Sequence, residues 1–317
     1  MKTTAFNAHQ WNCRRTRTGS ELSLEWDSIE AFKPDMEYAK KASPEQTAQT
    51  VSYTVGRQSS QWLGLEGGFS AFEKKLTDGW PELRHTLEQK LSDVELEVPR
   101  FPTKTETRRR KRVRDSHGDS LTMSRVWNGD LEHAWDRPVK QTRIVPNTKC
   151  VTLVFEVGAH CGITNDQAMW RAALCMLLVR SLSQAGRTFE IWVQSSSLST
   201  YSSGGPGTGN DGYPPQRLWV AWCVKKAADP LIMDRLCTMV SVGMLRTCGF
   251  IAYDCTPYKL SFGYGYPANA GVPHSLRERQ KRGETVLRIG ECYSKSACLA
   301  EYRRAWQEVE AGSKEAA

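Results

Sequence analysis

The stretch VTLVFEVGAHCGITNDQAMWRAALCMLLV, from Val151 to Val179, constrains the fold more than any other. An apolar, β-branched run stops at Glu156 and Gly158, a short polar loop follows, and a long apolar segment begins near Gln167. β-Branched side chains suit a pleated strand, so CVTLVFEV reads as a buried strand. The segment QAMWRAALCMLLVRSLSQ reads as a helix, with Asn165 or Asp166 as its cap and Gly186 as its stop. It is apolar almost all round, which predicts burial between layers.

More elements follow the same logic. RTFEIWVQSSS, RLWVAWCVKK and CGFIAYD read as strands, and DPLIMDRLCTMVSVGML reads as a helix capped by Asp229. SSGGPGTGNDGYPPQ reads as a long loop, and TVLRIG as a last strand before a C-terminal helix. The order β-α-β-β-α-β-…-β-α predicts an α/β domain over residues 138–317, with a mainly parallel sheet flanked by helices.

Residues 1–137 are expected to form a polar, partly helical, irregular N-terminal region. ELSLEWDSIEAF reads there as one short amphipathic helix. Ser70 and Glu73 fit a capping box for a helix ending near Asp78, with Gly79 as its stop and Pro81 beyond. Phe69, Phe72 and Leu76 share a face, which predicts docking on a larger core. SLTMSRVWNGDLEHAWD reads as two short helical pieces, and PVKQTRIVPNTK, within 138–149, as the linker between the two regions.

Composition limits the function classes. The formal net charge of +8 favours anionic partners. Ten cysteines occur without a C-x-x-C or a finger spacing, so free thiols in a reduced compartment are expected, and no structural metal. Cys175, Cys223 and Cys237 lie inside apolar runs, where Cys acts as a small hydrophobe. The start MKTTAFNAHQW lacks an apolar signal core, and the apolar runs break before 18 residues. The expected setting is cytoplasmic (a host cytoplasm or a virion), with no membrane partner and no cofactor.

In a parallel sheet the loop after the first strand faces the usual ligand crevice. This loop has no G-x-G-x-x-G for a pyrophosphate, no G-x-x-x-x-G-K-[ST] and no G-x-S-x-G. The order of elements, with an edge strand after the second strand, resembles a von Willebrand factor A-type domain, a Rossmann-like architecture. Such domains bind Mg²⁺ through D-x-S-x-S after the first strand. The matching positions here are Glu156, Gly158 and His160. Gly158 supplies no side chain, so the metal site is expected to be absent. Arg171, early in the buried helix, needs a partner, and Glu156 is the expected one, tying strand end to helix start.

WLGLEGGFSAFEKKLTDGWPE, GDSLTMSRVWNGDLEHAW, MWRAALCMLLVRSLSQAGRTFEIWV and KKAADPLIMDRLCTMVSVGMLRTCGF, in this order, resemble an uncharacterised family found in bacteriophages, prophages and bacteria. The resemblance covers Gln61 to Phe250. Its motifs are Gly79-Trp80-Pro81, Gly129-Asp130, Trp170-Arg171 and Met244-Leu245-Arg246. It implies a phage or mobile-element origin and a domain of unknown function, with no activity to carry over.

The run Arg108, Arg109, Arg110, Lys111, Arg112 and Arg114 is the strongest charge feature. Such clusters neutralise phosphates, although no accompanying aromatic pattern predicts base stacking. Ser275–Arg282 is a second basic stretch that extends the patch if the fold brings the two together. Asp115, His117 and Asp119 alternate in RDSHGDS, a spacing compatible with a metal-dependent nuclease or with a plain turn. The leading expectation is a non-enzymatic interaction or structural protein with other proteins as partners. The alternatives are a nucleic-acid-binding protein using the basic run and a metal-dependent nuclease or hydrolase.

Overall fold

A computed structural model describes residues 9–42, 44, 64, 68–92, 94–95, 97–101, 105–118, 120–144, 147–159, 162–198, 217–255, 266–267 and 271–314. Strands β1 (Arg14–Thr18) and β2 (Glu21–Trp26) form a hairpin, followed by helix α1 (Ile29–Ala42). Helices α2 (Gly68–Asp78) and α3 (Pro81–Ser92) come next. Then come β3 (Thr105–Asp115), β4 (Ser120–Leu121), the short helix α4 (Met123–Trp127) and β5 (Trp135–Ile144). The unit read first from sequence follows as β6 (Asn147–Glu156), α5 (Asn165–Gln184), β7 (Arg187–Leu198) and β8 (Arg217–Lys225). The chain continues through α6 (Met233–Val240), α7 (Val242–Met244), a π-helical turn Leu245–Gly249 and α8 (Phe250–Cys255). It closes with β9 (Tyr266–Pro267), α9 (His274–Lys281), β10 (Thr285–Ile289) and α10 (Lys295–Lys314).

The main sheet runs β1-β2-β8-β7-β6-β10, with β9 pairing off this path on β7. β10, β6 and β7 are mutually parallel, β8 runs opposite to β7, and β2 is parallel to β8. The protein is therefore mixed α/β, with a largely parallel sheet and helices. β8 is an interior strand, because β2 covers the edge it was expected to present.

Period-2 alternation divides the sheet faces. Leu153 and Phe155 of β6, Ile191 and Val193 of β7, Leu218 and Val220 of β8 and Leu24 of β2 enter the large core. α5 lies in that core, with eleven residues buried, and packs against α3, α6 and α10. Val154, Trp192, Ala221 and Cys223 face the other way, into a small cluster with Val272, Leu276 and Val286. That second face also buries Ser23, Glu25, Glu156, Gln194 and Ser196.

Several expectations change. ELSLEW is a strand, not the start of a helix: Leu22, Leu24 and Trp26 alternate with Ser23 and Glu25, and the helix begins only at Ile29. CGFIAYD is helical, continuing from α7 through the π turn; its single β-branched residue gives a strand little support. The cap of α5 is Thr164, one residue before Asn165 and two before Asp166, the expected caps, in a reciprocal capping box with Gln167. HAWD is not a second helical piece, since Trp135 opens β5. A division at 137/138 runs through β5 and separates β2 from its sheet neighbour β8, so the main sheet takes strands from both expected regions.

Gly79 has φ 85°, and a Cβ there would sit 2.8 Å from Asp234 Cβ, so the turn before α3 needs glycine to approach α6. Among the described residues, no single helix is long and apolar enough to cross a membrane. The pair Met233–Val240 and Val242–Ala252 passes only when taken together across a 60° bend.

Candidate functional site

The crevice loop is built around Glu156, which is 1% exposed at the end of β6. One carboxylate oxygen accepts from the backbone N–H of Gly158 and of Ser196, both at 3.0 Å. The other accepts from Gln194 Nε2 at 2.9 Å and from Ser196 Oγ at 2.8 Å. Arg288 Nη2 of β10 lies 3.7 Å from it. Gly158 makes room for this folded-back carboxylate, since a Cβ there would meet Glu156 Oε1 at 2.7 Å. Four donors thus engage the side chain that stands at the first metal-ligand position of the von Willebrand pattern.

Arg171 is also 1% exposed, but its partners are not Glu156. Nη1 donates to the carbonyl of Gly158 at 2.8 Å and Nη2 to that of Val157 at 2.9 Å. The guanidinium therefore ties strand end to helix start through main chain, because backbone carbonyls at the end of β6 are the acceptors it meets. Tyr293 closes over the same place, with the Arg171 guanidinium 5.7 Å from its ring centre. Burial pushes the Tyr293 hydroxyl pKa up. Arg246, buried in the π turn, donates to the carbonyl of Ile163 at 2.7 Å. Arg171 and Arg246 thus hold the loop at its two ends, a structural reason for two of the motifs, Trp170-Arg171 and Met244-Leu245-Arg246. His160 lies outside the described residues.

A cleft of about 330 Å³ opens at the other end of the sheet, where β2 and β8 end. Its wall includes Asp27, Glu30, Lys225, Asp229, Ile232 and Arg235. Lys225 Nζ donates to the carbonyls of Phe189, Lys226 and Ala227, and burial lowers its pKa. Glu30 pairs with Arg235 at 2.9 Å, and Asp229 accepts from the Lys226 N–H at 3.0 Å. These charged groups close on one another or on main chain rather than converging on the cleft.

The basic run lies elsewhere, in a second sheet of order β3-β5-β4. The run forms a strand, and so does most of 138–149, the stretch expected to be the linker. β3 and β5 pair antiparallel from Thr105↔Ile144 to Asp115↔Trp135, with a bulge between Arg108 and Lys111. Such a bulge bends a ribbon and sharpens its twist. The backbone of Arg108, Arg109, Arg110, Lys111 and Arg112 forms the strand, while their side chains lie outside the described residues. Arg114 is exposed. The two strands carry nine Lys/Arg against three Asp/Glu. The second basic stretch forms α9 instead, where Arg277 pairs with Glu21 at 2.7 Å and Arg279 with Glu190 at 3.1 Å. Its charges stitch the helix to the main sheet.

A small cap joins the ribbon strands at the 115/135 end. Thr122 donates its N–H to Ala134 O at 2.8 Å and its hydroxyl to Asp136 at 3.2 Å. Arg125 donates to His133 O at 3.0 Å, and His133 pairs with Asp130 at 2.8 Å. Gly129, at φ 76°, makes the turn. Asp115 lies 3.6 Å from His117 and 3.8 Å from Arg137, and Asp119 lies outside the described residues. Among the described residues, no three His, Cys, Asp or Glu side chains are grouped to hold a metal ion.

The cap's apolar side chains face water. Six large hydrophobic residues are exposed among those described, and five lie here: Val113, Leu121, Met123, Trp127 and Leu131. Trp127 is 80% exposed. The sequence carries a trace of this in the spacing of Met123, Trp127 and Leu131, which resembles one helix face, but a docking face and an open one read alike.

The eight cysteines whose side chains are described are all free thiols. Burial pushes Cys223 and Cys237 up to about 12, so they are inert packing groups.

The chain matches the family model of a domain of unknown function (DUF7192) over residues 15–304. That span takes in the main sheet, all but the first residue of β1, as well as the ribbon, and the chain belongs to this family. No curated protein and no solved structure matches it.

Proposed function

We propose that this family member is a non-enzymatic binding protein that engages nucleic acid through the β3–β5 ribbon. The observation that carries the reading is the concentration of nine Lys/Arg in one two-stranded ladder outside the main sheet. Lys/Arg side chains on such a ribbon displace counterions from phosphates. The crevice loop supports the non-enzymatic part, since its one carboxylate already accepts four hydrogen bonds.

Filter binding with a labelled oligonucleotide tests this directly. Engagement of about six phosphates predicts an affinity loss on the order of 10³-fold between 50 and 200 mM salt. Replacing Arg108–Arg112 and Arg114 by Ala is expected to remove most of the binding and flatten the salt slope. Binding that ignores salt and survives these substitutions overturns the reading.

The same proposal takes β6, α5, β7, β8 and β10 as a core resembling a von Willebrand A-type domain without its metal site. The strand order β8-β7-β6-β10, with β8 reversed, supports that likeness. A phage or mobile-element origin is part of the proposal. Flanking replication genes favour nucleic acid as the partner, whereas capsid and portal genes favour a protein partner in assembly.

A further inference from the structure

We infer that the cap at the end of the ribbon is a stacking platform for an unpaired base, with Trp127 as its face. The ribbon therefore prefers single-stranded nucleic acid to continuous duplex. This rests on the ribbon being the nucleic-acid-binding element.

Three observations lead there. Trp127 is 80% exposed, and Met123 at 48% and Leu131 at 62% lie four residues before and after it in the chain. Lone exposed apolar residues are common on proteins, but a cluster of them rimmed by polar groups marks an interaction site. The cap holds its shape through its own contacts, from Thr122 to Asp136 and from Arg125 to His133, so the indole sits on a fixed base. It also stands at one end of a ribbon carrying nine Lys/Arg, and eleven residues of β3 extend for roughly 35 Å.

Charge complementarity selects the occupant. A partner lying along the ribbon must be a polyanion, and one that also covers a tryptophan needs flat apolar faces. Nucleic-acid strands offer both, because every base has a π-face. The cost of unstacking then favours a single strand over a duplex. Bases in a duplex are already stacked, and opening one step costs about as much as a single new stacking contact returns, or more. A single strand presents its bases without that cost.

The test uses the full chain, a fluorescein-labelled oligothymidylate and a blunt duplex of equal length, read by anisotropy at fixed salt. Wild type is expected to bind the single strand more tightly. Trp127→Ala is expected to weaken single-strand binding roughly 5- to 150-fold, the worth of one stacked base, with an unchanged salt slope. Trp127→Phe is expected to restore most of the loss. Wild-type binding to both probes that Trp127→Ala leaves intact overturns the stacking role but spares the ribbon. No salt-dependent binding to either probe overturns the ribbon itself. A dimer in sedimentation that Trp127→Ala converts to monomer also overturns the stacking role, because a second copy then covers the indole.

Discussion

The crevice face of the main sheet and the ribbon with its cap solve opposite problems. At Glu156, Gln194, Ser196, Arg171 and Arg246 the buried side chains hydrogen-bond to neighbours, much of it main chain, and among the described residues only Arg171 Nε and Gln194 Oε1 of this group are left without a partner. In the cap, the main-chain and polar contacts close on themselves while the large apolar side chains stay in water. At the position where an α/β domain usually holds a ligand, the Glu156 carboxylate is taken up by hydrogen bonds, and the exposed apolar side chains lie in the segment before β6.

That contrast breaks if crevice substitutions leave stability alone or ribbon substitutions harm it. The largest effect is expected for Glu156→Ala, which strands the buried N–H groups of Gly158 and Ser196 and the Gln194 amide. A loss of about 3–5 kcal/mol is expected, seen as a lower urea midpoint at constant slope. Arg171→Met follows at about 3 kcal/mol, because the buried carbonyls of Val157 and Gly158 lose their donor. In both variants the fraction that remains folded should bind oligonucleotide as the wild type does.

Glu25 gives a smaller effect of opposite sign. It is fully buried on β2 beside the start of α9, where Ser275 donates its hydroxyl and backbone N–H to it. Burial raises its pKa above the usual carboxylate range. A raised acid favours the protonated fold, so its contribution is best at low pH and declines as pH rises through the folded value. Glu25→Gln is therefore expected to raise the melting temperature at pH 7, with the gain fading as pH falls toward 4.5. A gain that grows on acidification contradicts this. Smallest of all, Trp127→Ala should shift unfolding stability by less than about 0.5 kcal/mol, because its side chain leaves little contact to lose.

The parts of this molecule legible in its sequence are those where one physical signal dominates. β6, α5, β7 and β8 are long apolar runs with clear boundaries, and Gly186 stops α5 at φ 66°. β2 was obscured because its alternation of Leu22, Leu24 and Trp26 is brief and runs at once into α1. β3 was obscured because six basic residues resemble solvated linker, yet a ribbon outside the main sheet needs no apolar face to pair its backbone. The arginine partners were out of reach for another reason. Sequence shows that a buried charge needs an acceptor, but whether that acceptor is Glu156 or the carbonyls beside it depends on where the chain turns.

The pairing of β2 with β8 has a consequence for synthesis. Glu21 and Arg217, joined at 2.9 Å across it, are 196 residues apart in the chain. At about 5–20 residues per second the ribosome needs roughly 10–40 s to deliver that partner. For that time the hairpin β1–β2 has an apolar face and no sheet to join. A holding chaperone, or a nascent chain kept apart from its neighbours, becomes most valuable in that window, and a ribosome stalled before Arg217 would release a chain whose first strands have nowhere to go.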